Sequence, residues 1–253
     1  MLKNLYIEWL KIRRYRTFWV FSILFLVTIL GINYISYEIK ESTSASSVFG
    51  SPFRFPHVWQ TITWLSSYSL FIPGILMITF FTNEYTYRTH RQNIIDGWSR
   101  AEFIHVKLAM IGIIAVLTTF IAFLNVLLFG LSTASSFSLD KIEYLFYFFI
   151  QALSYTSVAF IIALLVKRSG LAVVLYLSYA FIIDNVFKLL LNKYFWQTGN
   201  YLPLETTDVL IPLPFFGNVL PYQANHTTAL IMAFIYLVAY YLFANWKFKT
   251  ADL

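Results

Sequence analysis

Apolar positions in this chain come in long unbroken blocks, not in strict alternation. Six stretches hold about 20 mostly apolar residues each: Phe18–Tyr37, Trp59–Phe81, Leu108–Gly130, Tyr144–Val166, Leu171–Leu191 and Thr227–Trp246. A helix rises about 1.5 Å per residue, so each is long enough to cross about 30 Å of hydrocarbon. The pattern predicts an all-α polytopic membrane protein, one transmembrane domain over residues 1–253 with six transmembrane helices. The first stretch is too long for a cleavable signal peptide, and no small-residue cleavage site follows it.

Polar residues inside these blocks are the next signal. Pro73-Gly74 predicts a kink in the second. The fourth carries Gln151, Ser154, Tyr155, Thr156 and Ser157, which favours helix–helix contact or a cavity lining. The fifth contains Asp184 and Lys188, whose i, i+4 spacing puts them on one face within salt-bridge reach. A lone charge at mid-bilayer costs about 2.5–3.5 kcal/mol on insertion scales, so pairing is expected. Asp184, Lys188, Gln151 and Ser154 therefore form a candidate intramembrane polar site, on a transport route or at a subunit contact. The alternative is that the helix ends near residue 184 and Lys188 reaches the outer headgroups.

Between the blocks lie segments of distinct character. On a helix over residues 1–16, Leu2, Leu5, Tyr6, Trp9, Leu10 and Ile12 share one face. Lys3, Asn4, Glu8, Lys11 and Arg14 share the other, with Asn4 and Glu8 expected in water. This is the pattern of an amphipathic helix lying in the membrane interface. Residues 38–58 form a loop with a flexible Ser-Thr run at 42–47. Residues 131–143 and 167–170 are short connections. Residues 192–226 are broken by four prolines yet contain the apolar run "VLIPLPFFGNVLP", which suits a partly re-entrant element over 204–221, or a loop packed on the helix ends. Residues 83–107 are polar, with an apolar pair Ile94-Ile95, a turn at Asp96-Gly97, and Ser99 with Glu102 three residues on, the signature of a capping box.

Composition and charge narrow the class and set the orientation. Of the 253 residues, 59% are hydrophobic and 12% charged, which excludes disorder, a nucleic-acid-binding module and an ordinary soluble enzyme. With both termini inside, thirteen of the 18 basic residues fall on the inner side. Acidic residues split five inside to seven outside, giving +8 and −2. The positive-inside rule therefore places both termini in the cytoplasm. Cysteine is absent, so there is no disulfide framework and no thiolate metal site. The four histidines are scattered and no metal ligand set emerges. The chain lacks a phosphate-binding G-x-x-x-x-G-K-[ST] loop, an H-E-x-x-H pair and a G-x-S-x-G elbow, so it is not expected to be an enzyme or to bind a cofactor by itself.

The segment "NEYTYRTHRQNIIDGWSRAEFIHVKL" is the informative one: Glu84 after the second span, Y-x-x-R-T-x-R-Q-x-I-I, a turn, S-R-x-x-F, and Lys107 before the third. It resembles ABC-2 type permeases, the transmembrane subunits of bacterial ABC transporters. The basic amphipathic start resembles the connecting, or elbow, helix of that family. Gly97-Trp98 stands where relatives often place a proline near the turn. The resemblance implies that residues 83–107 hold a coupling helix docking into a separate ATPase subunit, with Glu84 and Arg88 bracing it and Arg91, Ile94 and Ile95 reaching the partner. It further implies an exporter in the bacterial inner membrane, working by alternating access, with two ATPase copies carrying ATP and Mg and a second identical or related permease. A membrane binding or immunity protein and a stand-alone secondary transporter are the competing readings.

Overall fold

The computed structural model describes residues 2–42, 52–133, 135–195, 198–214 and 225–250. The rest of the Ser-Thr run beyond Ser42, and residues 215–221 of the proline-broken apolar run, lie outside the described residues. All regular structure among the described residues is helical. The chain runs through α1 (Leu2–Arg14), α2 (Arg16–Ser42), α3 (Val58–Ser67), α4 (Phe71–Thr86), α5 (Thr89–Ile95), α6 (Arg100–Ser132) and α7 (Glu143–Val166). It continues through α8 (Ser169–Tyr194), the short α9 (Glu205–Asp208) and α10 (His226–Thr250).

Five helices are long and apolar enough to cross a membrane, and α3 with α4 makes a sixth when this bent pair is taken as one span. The fold is an all-α polytopic membrane protein. The helices are not equivalent. In its most apolar stretch α7 is 61% buried, against 17% for α2 and α10, so α7 is the centre and those two are the rim. Around it, Met77, Phe81, Phe103, Phe160 and Tyr176 form the main core. A second core joins Phe25 and Ile29 of α2 to Leu70, Phe148 and Ala152. Ile231, Phe234, Ile235, Val238 and Leu242 leave an exposed apolar stripe on α10 at helical spacing. In lipid such a stripe needs no protein cover.

The second span corrects the expected kink. The chain bends by 46° between Ser67 and Phe71, not at Pro73-Gly74. Pro73 sits in the first turn of α4, where its missing N–H costs no helical hydrogen bond. Gly74 serves packing instead: a Cβ there would run into the buried Tyr176 ring of α8. In the fifth span it is the alternative ending that is overturned. The helix does not end near residue 184 but continues to Tyr194, through one π-helical turn at Tyr179–Ile183.

Replacing Gly74 with Val should force Tyr176 out of its place and overpack the α4–α8 contact. We expect a loss of about 1–3 kcal/mol, read as a lower thermal midpoint of the purified protein. Gly112, whose Cβ would meet open space inside a helix, serves as the control, and Gly112→Ala should hold or raise the midpoint.

Candidate functional site

Two polar clusters lie at opposite ends of the bundle. One gathers where α1, the end of α4, α5 and the start of α6 meet, here called the basic end. Lys107 of α6 is the central group, with only 1% of its side chain exposed. Its Nζ donates to Glu8 Oε2 of α1 and to Glu84 Oε1 of α4, both at 2.6 Å. Lys11, one turn after Glu8, donates to Glu8 Oε1 at 2.9 Å and to Asn93 Oδ1 of α5 at 3.2 Å. Two ammonium groups thus meet two carboxylates. Burial works to raise the Glu8 pKa, but Lys107 and Lys11 outweigh it and hold the carboxyl below its ordinary value.

This arrangement overturns the expectation that Glu8 faces water: it is buried, turned toward the bundle. The exposed residues of α1 include Tyr6, Trp9 and Leu10 on its apolar face, with Arg13 and Arg14 at its end. Amphipathicity is real, but its polar face binds an internal partner. A cavity of about 600 Å³ lies beside this contact, bordered by Leu10, Arg14, Phe80 and Asn83.

The short helix α5 has two faces. Arg88 precedes it in the left-handed region (φ 55°). His90 and Asn93, three apart, turn inward. The His90 ring stacks on Tyr85 with centroids 4.3 Å apart, and its Nδ1 lies 3.0 Å from the Glu84 carbonyl oxygen. Burial pushes the His90 pKa down, against the Glu84 carbonyl, and the Arg91 and Lys167 charges push it down further. Arg91 and Ile95, four apart, turn outward, and Ile95 is 77% exposed. Ile94 is half-buried. The turn that follows needs Gly97, at φ 97°. Ser99 then opens α6 with the capping box: its Oγ accepts from the Glu102 N–H at 3.1 Å, and its own N–H donates to Glu102 Oε2 at 2.9 Å. Of the five residues assigned to coupling, Arg88, Arg91 and Ile95 lie at the surface, Ile94 lies half in, and Glu84 belongs to the buried network.

The second cluster surrounds α9, at the distal end. The structure brings Asp184, Lys188, Gln151 and Ser154 together there, but not through the expected Asp184–Lys188 pair. Lys188 is bonded to Glu205, and Asp184 Oδ2 accepts from the Glu205 backbone N–H at 3.1 Å. That amide lies in the first turn of α9, where backbone donors lack helical partners. The return segment thus supplies better partners than the i+4 neighbour. Gln151 Nε2 donates to Asp208 Oδ1 at 2.8 Å, and the Tyr155 hydroxyl to both Asp208 oxygens at 3.1 Å. Ser154 Oγ donates to the Pro203 carbonyl at 3.4 Å. Glu205 and Asp208 were missed in the sequence. Their only signal was two carboxylates, three apart, between prolines in an otherwise apolar segment.

Burial raises the Asp208 pKa to about 7. The Glu205 and Asp184 charges add to the rise, and the Gln151 and Tyr155 hydrogen bonds oppose it. The native carboxyl therefore holds its proton more tightly than the unfolded one. The resulting stabilisation is present at low pH and is lost as pH rises through about 7.

Two outcomes follow. Lys107→Met should leave two buried carboxylates without their central cation, costing about 3–5 kcal/mol. Limited proteolysis should then cut at α1 first. Asp208→Asn should raise the thermal midpoint at pH 8 by about 2–4 °C and by progressively less toward about pH 4, because the native carboxyl keeps its proton up to about 7 while the unfolded one ionises above about 4.

Against this geometry, comparison with known proteins is informative. No curated protein gives a significant match to the chain. A family model described as "ABC-2 family transporter protein" matches residues 4–184, from the start of α1 to Asp184 in α8. The match takes in well over half of the chain, including every helix from α2 to α7, nearly all of α1, and the first part of α8. The chain therefore belongs to the ABC-2 family of transporter proteins.

Proposed function

We propose that this membrane permease is half of an ABC exporter and that a separate ATPase docks on α5. One observation carries the reading. The segment between α4 and α6 presents Arg91 and Ile95 outward on a helix whose other face is locked to the bundle through His90, Asn93 and, one turn earlier, Glu84. A lone exposed Ile beside an Arg is a small apolar anchor with a charged rim, the make-up of a docking contact. The other face transmits displacement because it is rigidly held.

In this reading both termini and α5 are cytoplasmic in a bacterial inner membrane, since thirteen basic residues then lie inside. The chain is one transmembrane domain. Its α1 lies along the inner leaflet, with Tyr6, Trp9 and Leu10 in lipid. ATP and Mg are held by the ATPase, two copies of which close on nucleotide and push two α5 helices. The permease halves, identical or related, then switch between inward and outward access.

Arg91→Glu and Ile95→Asp should each lower ATPase co-purification at least tenfold and abolish permease-stimulated ATP hydrolysis, while membrane insertion is unchanged. Full retention of both by both variants would remove α5 as the docking element. Native mass spectrometry of the purified complex should show two permease chains and two ATPase chains. A functional particle with a single membrane subunit contradicts the proposed stoichiometry.

A further inference from the structure

The distal cluster borders a cavity of about 270 Å³ between α3, α4, α7, α8 and α9. Its walls are of two kinds. Trp64, Tyr68, Phe71, Tyr155 and Phe181 supply aromatic rings, and Glu205 and Asp208 supply carboxylates. Lys188 is the one base among the described lining residues, and its ammonium is already bonded to Glu205. Asp208 accepts hydrogen bonds from Gln151 and Tyr155, both uncharged. Gln151, also in the lining, is 2% exposed, and its Oε1 has no hydrogen-bond partner. A buried amide oxygen without a donor costs about 1–3 kcal/mol, so the site is short of donors and of positive charge.

We propose that this cavity binds a small organic cation, an ammonium group carried on an apolar or aromatic body. An ammonium offers three N–H donors and no acceptor. Asp208 supplies the counter-charge, Gln151 Oε1 takes a second N–H, and the rings accept the cation and its apolar body. Anions meet two carboxylates and find the only base engaged. A hard metal ion wants six or more oxygens, and among the described residues no group of three His, Cys, Asp or Glu side chains could hold one. The volume suits a molecule smaller than most drug-sized ligands.

The site can be tested on the full chain in detergent, without ATP or an ATPase, so its failure leaves the docking of an ATPase untouched. Phenethylammonium and its neutral analogue 2-phenylethanol are titrated calorimetrically at pH 8. The amine should bind at least tenfold more tightly. Asp208→Asn should weaken the amine about tenfold or more and leave the neutral probe unchanged. In the wild type, lowering the pH from 8 to 6 should weaken the amine severalfold, because protonation of Asp208 removes the counter-charge. The groups facing Asp208 are Glu205 on its own helix, Asp184, Lys188 and Tyr176 of α8, Tyr155 of α7 and Tyr68 beyond α3. Nα-acetyl-lysine amide separates a free amine from a lysine side chain as the source of the ammonium, and Asp208-dependent binding of either meets the proposal. Equal binding of amine and alcohol, no binding of any amine, or amine affinity flat between pH 6 and 8 overturns it. The pH series in the wild type decides the matter even if the variant fails to fold.

Discussion

One ammonium group between two carboxylates fixes the basic end of this molecule. Lys107 cannot be buried as a charge unless opposite charge comes with it, because desolvation of an ion costs several kcal/mol. Glu8 and Glu84 provide that charge at 2.6 Å each, and Lys11 then balances the surplus. The four groups come from three elements that are far apart in sequence: α1, the end of α4 and the start of α6. Once the charges are satisfied, the relative positions of those three elements follow. The chain between Glu84 and Arg100 is then strung between two fixed points, and α5 takes its orientation from them through the Glu84 carbonyl and Asn93. The network is weak evidence for net stability, since a buried ion pair roughly breaks even against an apolar one. Its value is positional: Glu8 is the one carboxylate in α1, so α1 meets Lys107 through that residue.

The distal cluster follows a different rule. At the basic end two carboxylates meet two ammonium groups. Around α9, Asp184, Glu205 and Asp208 share Lys188 alone among the described residues, and neutral donors do the remaining work. Both networks border a cavity and both leave a buried oxygen without a donor, Glu84 Oε2 in the first and Gln151 Oε1 in the second. They differ in charge balance: only around α9 do the acids outnumber the bases, and there burial, with that excess of acid, raises the Asp208 pKa toward neutrality. The same physics that makes the first cluster a fastening makes the second a place where a cation or a proton changes the energy of the fold.

Much of this was legible from the chain. Block length alone yields the apolar helices, because no soluble core could hide so much apolar surface. The capping box at Ser99 and Glu102 marks the start of α6 through purely local chemistry. The grouping of Gln151 and Ser154 with Asp184 and Lys188 was legible too, but the individual pairings were not, because they depend on partners distant in sequence. Glu8 reads as a water-facing residue on an amphipathic helix because its partner, Lys107, lies ninety-nine residues on. Lys107 reads as one more cytoplasmic base. The Asp184–Lys188 pair is the best local match, yet both residues take partners from the return segment, where Glu205 and Asp208 carry no periodic signal. Pro73 marks a break by reputation, but in a first turn it is harmless, and the bend falls just before the helix that it begins.

The two clusters share α4. Its last turns carry Glu84 in the charge network, and its first residue, Phe71, borders the distal cavity. Sixteen helical residues span about 24 Å, and along that length Gly74 is pinned under Tyr176 while Phe81 packs edge-on against Phe160 of the central helix. A helix held in this way moves as a unit or not at all. If α5 is where an ATPase pushes, the displacement enters α4 through Glu84 and leaves it at Phe71, against the wall of the cavity. The bend between Ser67 and Phe71 lies just beyond that point. There the regular helical ladder gives way to tighter turn bonds, from Ser69 N–H to Ser66 O and from Leu70 N–H to Ser67 O, so a rigid α4 can pivot against α3 with less disruption than inside either helix. In that case the broken second span is a place where a movement from the basic end can change the shape of the distal site, whose wall on the α8 side holds the π-helical turn with Ala180 and Phe181.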